Sequence, residues 1–95
     1  MDFEWDEDKR LANLEKHGID FLDARTIWTG QVLDPAAERV VEDEARPTAL
    51  GTIGEDEIVV AVVYTVRDGI VRLISARRAR RNERKLYQDR FGRGS

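Results

Sequence analysis

The sequence predicts an α+β fold made of two N-terminal helices, a four-stranded antiparallel β-meander and a basic C-terminal helix. Three observations support this prediction. Apolar residues recur at helical spacing over the first 30 residues, and after Asp34-Pro35 the spacing changes to that of strands. Turn signals then divide the chain into short strand candidates joined by short connections. The last stretch is basic and again carries apolar residues at helical spacing.

Capping residues set the limits of the two N-terminal helices. The first helix is predicted from Asp6 to Lys16, because Asp6 can accept hydrogen bonds from the first turn and the sequence Lys-His-Gly is typical of a helix end. The second is predicted to begin at Asp20, which resembles the start of a capping box with Asp23, and to end near Gly30.

The strand candidates are Glu38–Glu44, Thr48–Ile53, Ile58–Val66 and Ile70–Ser75. Asp68-Gly69 is a two-residue hairpin signal and residues 54–57 form another short connection, so an antiparallel meander is expected. Ile58–Val66 is apolar almost without alternation, which indicates a central strand covered on both faces. The final helix is predicted from about Ala79 to Phe91, with Asn82 as a candidate cap.

Composition indicates one domain, residues 1–91, followed by a flexible tail at residues 92–95. The chain has no cysteine, which excludes a disulfide framework and a thiolate metal site. Its acidic clusters lack the spacing of a calcium loop, so neither a metal nor a cofactor is expected. The longest apolar run, Ile58–Tyr64, is too short to cross a bilayer. A cytoplasmic protein is therefore expected.

Charge divides the chain into two unequal parts. Residues 69–95 contain nine Lys/Arg and two acidic residues, a net charge of +7, whereas residues 1–68 contain seven basic and seventeen acidic residues, a net charge of −10. Clustered arginines favour contact with phosphates because they displace bound counterions. A solvated helix face is the alternative interpretation of such a run. The positions of the arginines in the fold decide between the two.

The turn lengths predict which residues share a face of the sheet. The two-residue turn pairs Thr65 with Arg72, and the four-residue loop places Arg46 opposite Thr65. Arg46 and Arg72 would then lie about 10 Å apart on one face, close enough to bind a single phosphate. The opposite face is almost wholly apolar and is expected to receive the helices. The arginine face is therefore expected to be open.

Two groups of residues form motifs that together span most of the chain. The first group is Phe3-Glu4-Trp5-Asp6 with Lys9, Asn13 and Lys16-His17-Gly18. The second is Glu44-Ala45-Arg46, Gly51, Val63-Tyr64-Thr65 and Arg72-Leu73-Ile74-Ser75-Ala76-Arg77-Arg78-Ala79 with Glu83, Arg84 and Tyr87. Together these motifs resemble the BrnT family of bacterial toxins. The resemblance implies a RelE-like fold, metal-independent cleavage of mRNA, and neutralisation by a ribbon-helix-helix (BrnA-like) antitoxin through which operator DNA is bound.

Cleavage of RNA without a metal needs a base for the ribose 2′-hydroxyl, cations for the charge on the phosphorane and an acid for the leaving oxygen. Arginine suits the second task because its planar fork binds phosphate oxygens in pairs. The candidate catalytic residues are Arg72, Arg46, Arg77, His17 and Glu44, and the candidate RNA-binding residues are Arg78, Lys9, Lys16, Arg81 and Arg84. His17 is a candidate acid or base and equally a helix-ending residue, and Glu44 is a base or a partner of Arg46.

Several other side chains are interpreted as structural. Tyr64, Tyr87, Trp5 and Trp28 are expected to pack in the core, and Glu83 is expected to form ion pairs on the helix surface with Arg80 or with neighbours on the Tyr87 side. Two alternatives to an active ribonuclease stay open. One is a catalytically silent homologue that only binds its antitoxin, and the other is a nucleic-acid-binding helix without cleavage.

Overall fold

The computed structural model describes residues 1–34 and 47–92, which form an α+β fold and confirm the predicted class. Helices α1 and α2 are Glu7–His17 and Phe21–Ala24, followed by a 3₁₀ helix at Arg25–Thr29, and α3 is Arg81–Phe91. The strands are β1 (Asp2–Glu4), β2 (Thr48–Ile53), β3 (Ile58–Arg67) and β4 (Ile70–Arg78). The predicted strand Glu38–Glu44, the candidates Glu44 and Arg46, and most of the predicted tail lie outside the described residues.

The sheet has the strand order β1-β4-β3-β2 and is mixed. Strands β2, β3 and β4 form the predicted meander in the predicted register, with Thr65 opposite Arg72 and Thr48 opposite Val63. The fourth strand is β1, which pairs in parallel with the start of β4 and places Glu4 opposite Arg72. The prediction of an antiparallel sheet throughout was therefore wrong, because three residues are too few to show the alternation of a strand.

A β-bulge changes which residues of β4 share a face. Two consecutive residues of β3 pair with Leu73 and Ser75, which leaves Ile74 as the extra residue. Ser75 and Arg77 consequently face the same side as Arg72, although strict alternation from Arg72 would turn them to the other side. We call this side of the sheet, which bears Arg72, Ser75 and Arg77, the arginine face, and the opposite side the core face.

Helices cover both faces of the sheet. On the core face, Phe21 of α2 and Ile27 of the 3₁₀ helix pack against fully buried strand residues. On the arginine face, Tyr87 of α3 packs with Leu50 and Ala61. The expectation of an open arginine face was wrong at this end, because the apolar side chains of β2 and β3 make a second, smaller hydrophobic cluster there. Among the described residues no helix is long and apolar enough to span a membrane.

Aromatic side chains occupy the two clusters as expected. Trp28 meets Tyr64 edge to face at 5.3 Å between ring centroids, and Trp5 meets Phe21 in the same way at 6.1 Å. Tyr64 is buried and donates its hydroxyl to Asp34; its burial, with the nearby carboxylate, raises the pKa of the phenol. The interpretation of these rings as core residues is confirmed.

The helix limits follow the capping residues that the sequence indicated. Asp6 Oδ1 accepts from the backbone N–H of Asp8 at 2.8 Å, and Gly18 ends α1 with φ of 73°, a conformation that favours glycine. The second helical segment spans the predicted stretch between Asp20 and Gly30, but its second half is a 3₁₀ helix. Helices α1 and α2 both contact β4.

Candidate functional site

Helix α1 runs beside the edge of β4 that β1 leaves uncovered, and Asn13 attaches it there. The Asn13 side chain is buried; its Nδ2 donates to the carbonyls of Ile19 and Ala76, both at 2.9 Å, and its Oδ1 accepts from the N–H of Ala76 at 3.0 Å. The amide therefore takes the place of a neighbouring strand residue and satisfies the edge groups of Ala76. This contact determines which side of α1 faces β4.

A groove with a volume of about 200 Å³ lies between α1 and the bulge of β4. It is lined by Lys9, Ala12, Asn13, Lys16, His17, Ile74 and Ser75. The two lysines and the histidine are spaced so that they share one side of the helix. Lys9 and Lys16 are exposed and form no ion pair with the part of the chain that the structure describes. The groove thus combines two ammonium groups, an imidazole and a hydroxyl, which can bind a phosphate and move a proton.

His17 is the last residue of α1 and is half-buried in this groove. Its position fits both interpretations of the sequence, since it ends a helix and also lines the groove with Ser75. Its catalytic role stays a prediction. Within the described ranges no group of three or more His, Cys, Asp or Glu side chains could hold a metal ion.

Arg72 lies in a row of three polar side chains on the arginine face, between Thr65 of β3 and Glu4 of β1. Its Nη1 donates to Oε2 of Glu4 at 3.2 Å, and the two side chains are 36% and 37% exposed. A partly exposed pair with one contact contributes at most about 1 kcal/mol. An incoming phosphate can therefore replace the carboxylate. The predicted partnership of Arg72 with Arg46 stays a prediction.

Arg77 has a closer and more buried partner. Its Nη1 and Nη2 donate to Oε1 and Oε2 of Glu83 at 2.8 and 3.0 Å, and Oε1 also accepts from the N–H of Arg80 at 2.7 Å. The hydrogen bond from Arg77 is the main cause that holds the pKa of Glu83 below its ordinary range. The expectation that Glu83 pairs with the Arg80 side chain was wrong, because the carboxylate connects β4 to the start of α3 instead.

The start of α3 also differs from the prediction. Its N-cap is Arg80 rather than Asn82, which lies within the first turn. An arginine side chain carries only donors, so the Arg80 guanidinium cannot accept from the N–H groups of the first turn. Among the described residues the side-chain hydrogen bond of this cap is therefore the one that the Glu83 carboxylate accepts from the backbone N–H of Arg80. The helix therefore begins where β4 ends, with the Arg77–Glu83 pair at the junction.

The remaining candidates for RNA binding lie on or beside α3. Arg84 donates to the Ala79 carbonyl at 2.9 Å, which holds its guanidinium against the β4–α3 junction. Arg78 and Arg81 are exposed and form no ion pair with a described residue. These arginines surround the junction rather than the groove.

Sequence reasoning missed the positions of three residues of the site. Glu4, Asn13 and Ser75 each belong to a motif of the family resemblance, but only pairing of β1 with β4 and the bulge at Ile74 bring them to the site. The sequence showed these three residues only as polar members of the family motifs. Motif membership indicated that the residues are important, but it did not indicate their positions in the fold.

The geometry defines a small α+β domain with a cationic groove suited to phosphates. A sequence model described as the ribonuclease toxin BrnT of type II toxin–antitoxin systems matches residues 5–83. The chain therefore belongs to the BrnT family, and the predicted resemblance is confirmed. The crystal structure of the Brucella abortus ribonuclease toxin BrnT is similar, with a TM-score of 0.61 and 30% sequence identity over 85% of this chain and 99% of that one. No curated protein matches the chain significantly.

Proposed function

We propose that the chain is a cytoplasmic endoribonuclease that cleaves mRNA without a metal ion and thereby arrests growth. We also propose that a ribbon-helix-helix antitoxin neutralises it and that operator DNA is bound through this antitoxin. Family membership supports the class of activity. The observation that supports the site is the shared face of Arg72 and Ser75, because Ser75 also lines the groove with Lys9 and Lys16. Cations from a strand and from a helix thus flank one path for a phosphodiester chain.

The proposed chemistry is attack of the ribose 2′-oxygen on the adjacent phosphorus. Arg72, with Arg46, binds the scissile phosphate and stabilises the charge that builds on the phosphorane. Lys9 and Lys16 hold neighbouring phosphates, and His17 is the candidate proton donor for the leaving 5′-oxygen. The products are a 2′,3′-cyclic phosphate and a 5′-hydroxyl.

The basic residues near α3 have a different proposed role. Arg78, Arg81 and Arg84 form a positively charged border around the β4–α3 junction, and long-range attraction by such a border raises the rate of encounter with RNA. Arg77 is a candidate in the same reaction, although Glu83 occupies both of its terminal nitrogens. Glu44 stays a candidate base.

The test is cleavage of end-labelled RNA by purified protein in EDTA, with detection of cyclic phosphate ends. Arg72→Ala is expected to lower kcat about 10²–10³-fold, the usual loss when a donor to a developing oxyanion is removed. Arg67→Ala is the matched control, because Arg67 is an exposed residue of β3 with no ion pair to a described residue. Equal rates for Arg72→Ala and the wild type would exclude the proposed site, and an inactive wild type would exclude the activity.

A silent homologue is the second candidate function, and the ion pairs of the two motif arginines favour it. Arg72 contacts Glu4 and Arg77 contacts Glu83, so each guanidinium already has a carboxylate partner. This candidate predicts a stable complex with the antitoxin and no cleavage by the free wild-type protein. Steeply salt-dependent RNA binding with intact product would instead indicate a binding protein without catalysis.

A further inference from the structure

We propose that Glu4 is the general base of this ribonuclease, an inference that rests on the proposed function. In this assignment the Glu4 carboxylate takes the proton of the ribose 2′-hydroxyl while Arg72 holds the scissile phosphate. The base therefore comes from β1, the strand that the sequence did not predict.

The register of the sheet places the two groups side by side. Strand β1 runs parallel to β4 with Glu4 opposite Arg72, which sets their Cα atoms about 4.8 Å apart on the same face. Glu4 Oε2 accepts from Arg72 Nη1 at 3.2 Å, while Oε1 accepts no hydrogen bond from any residue in the described ranges. A carboxylate with one free oxygen thus adjoins the guanidinium that is best placed to bind phosphate.

Two other carboxylates beside cations, Glu83 and Glu7, are already engaged. Both oxygens of Glu83 accept from Arg77, and Glu7 accepts from two nitrogens of Arg10. These carboxylates lose an existing contact if they accept a proton. Among the described residues Glu4 has a contact on one oxygen alone, and it is accessible enough, at 37% exposure, to meet a ribose. Its position therefore suits proton transfer better than theirs.

The chemistry of RNA places the reacting hydroxyl beside the bound phosphate. The 2′-hydroxyl is on the ribose whose 3′-oxygen carries the scissile phosphate, so a phosphate on Arg72 brings that hydroxyl within reach of the neighbouring carboxylate. The O2′–H bond breaks to Glu4, the O2′–P bond forms, and the P–O5′ bond breaks. The leaving oxygen takes a proton from water or from His17, and Glu4 later returns its proton to solvent. The bonds and protons of this step balance without a metal ion or a redox partner.

Glu4 could alternatively serve only to orient Arg72, and two variants separate the roles. Glu4→Gln keeps the size and removes the base, whereas Glu4→Asp keeps a base at a changed distance. We expect Glu4→Gln to lower kcat at least 100-fold at pH 7, with unchanged or tighter binding of RNA, and to lack the fall of kcat in acid that a carboxylate base imposes on an enzyme. Glu4→Asp is expected to keep part of the rate and the acid limb.

Asp2→Asn is the matched control, because Asp2 lies on the same strand and face but opposite Ile70. It should cleave like the wild type. Thermal melts of all variants check folding, which a substitution of a partly exposed side chain should preserve. A kcat of Glu4→Gln within threefold of the wild type, with weaker RNA binding, would overturn the assignment and leave a positioning role. An inactive wild type would instead overturn the proposed function itself, so the two failures are distinguishable.

Discussion

Replacing Asn13 by alanine tests whether one amide attaches α1 to the sheet. The substitution removes the partners of three backbone groups, the carbonyls of Ile19 and Ala76 and the N–H of Ala76. Each such group costs about 1–3 kcal/mol when it is left unsatisfied away from water. Because the groove beside Asn13 admits water to part of this region, we expect a loss near the lower limit, about 3–4 kcal/mol in the free energy of unfolding.

The loss is measurable by urea denaturation followed by tryptophan fluorescence, since Trp5 and Trp28 both pack against the core. It is a large share of the roughly 5–15 kcal/mol that stabilises a typical domain. Asn82→Ala is the control, because Asn82 is exposed in α3, where alanine is the better helix former. A loss below about 1 kcal/mol in Asn13→Ala would show that α1 is held by its apolar contacts and would refute the proposed attachment.

Two further predictions concern the core face and the β4–α3 junction. Gly51→Ala places a Cβ 2.5 Å from the Cβ of Ile27 and should destabilise the fold by about 1–3 kcal/mol, whereas Gly30→Ala, with open space around it, should not; urea denaturation measures both. Arg77 holds the pKa of Glu83 below its ordinary value of 4.5, so this pair stabilises the folded state above that pH and the contribution is lost as the pH falls through the lowered pKa. The difference in unfolding free energy between the wild type and Glu83→Gln should therefore shrink in acid, and a difference that is constant with pH would contradict this assignment.

The parts of the fold that the sequence predicted are those fixed by local chemistry. Asp6 and Gly18 limit α1 because a carboxylate satisfies free N–H groups at one end and glycine tolerates positive φ at the other. The turn lengths were sufficient to place Thr65 opposite Arg72, since a two-residue hairpin leaves a single register. Local rules therefore gave the position of Arg72 in the sheet.

The parts that were missed depend on contacts between distant segments. Strand β1 has three residues, too few for a period, and it forms only because β4 offers an edge. No glycine or proline at Ile74 predicts the bulge from the sequence, yet the bulge places Arg77 on the same side of the sheet as Arg72. The side on which α3 packs depends on a small cluster that Tyr87 forms with Leu50 and Ala61, on a face of the sheet that was expected to be open. Each is a tertiary contact that no single segment encodes.

The two ion pairs of the arginine face differ in the number of their contacts and in their exposure, and this difference indicates different roles for Arg72 and Arg77. The Arg77–Glu83 pair is bidentate, its side chains are 22% and 16% exposed, and Glu83 also caps α3. Separating it would leave a partly buried charge without a partner and would loosen the helix. The Arg72–Glu4 pair has one contact, is about twice as exposed, and costs at most about 1 kcal/mol to open. A phosphate therefore competes far more easily for Arg72 than for Arg77. RNA binding at Arg72 would also leave Glu4 beside the ribose while the attachment of α3 stays intact.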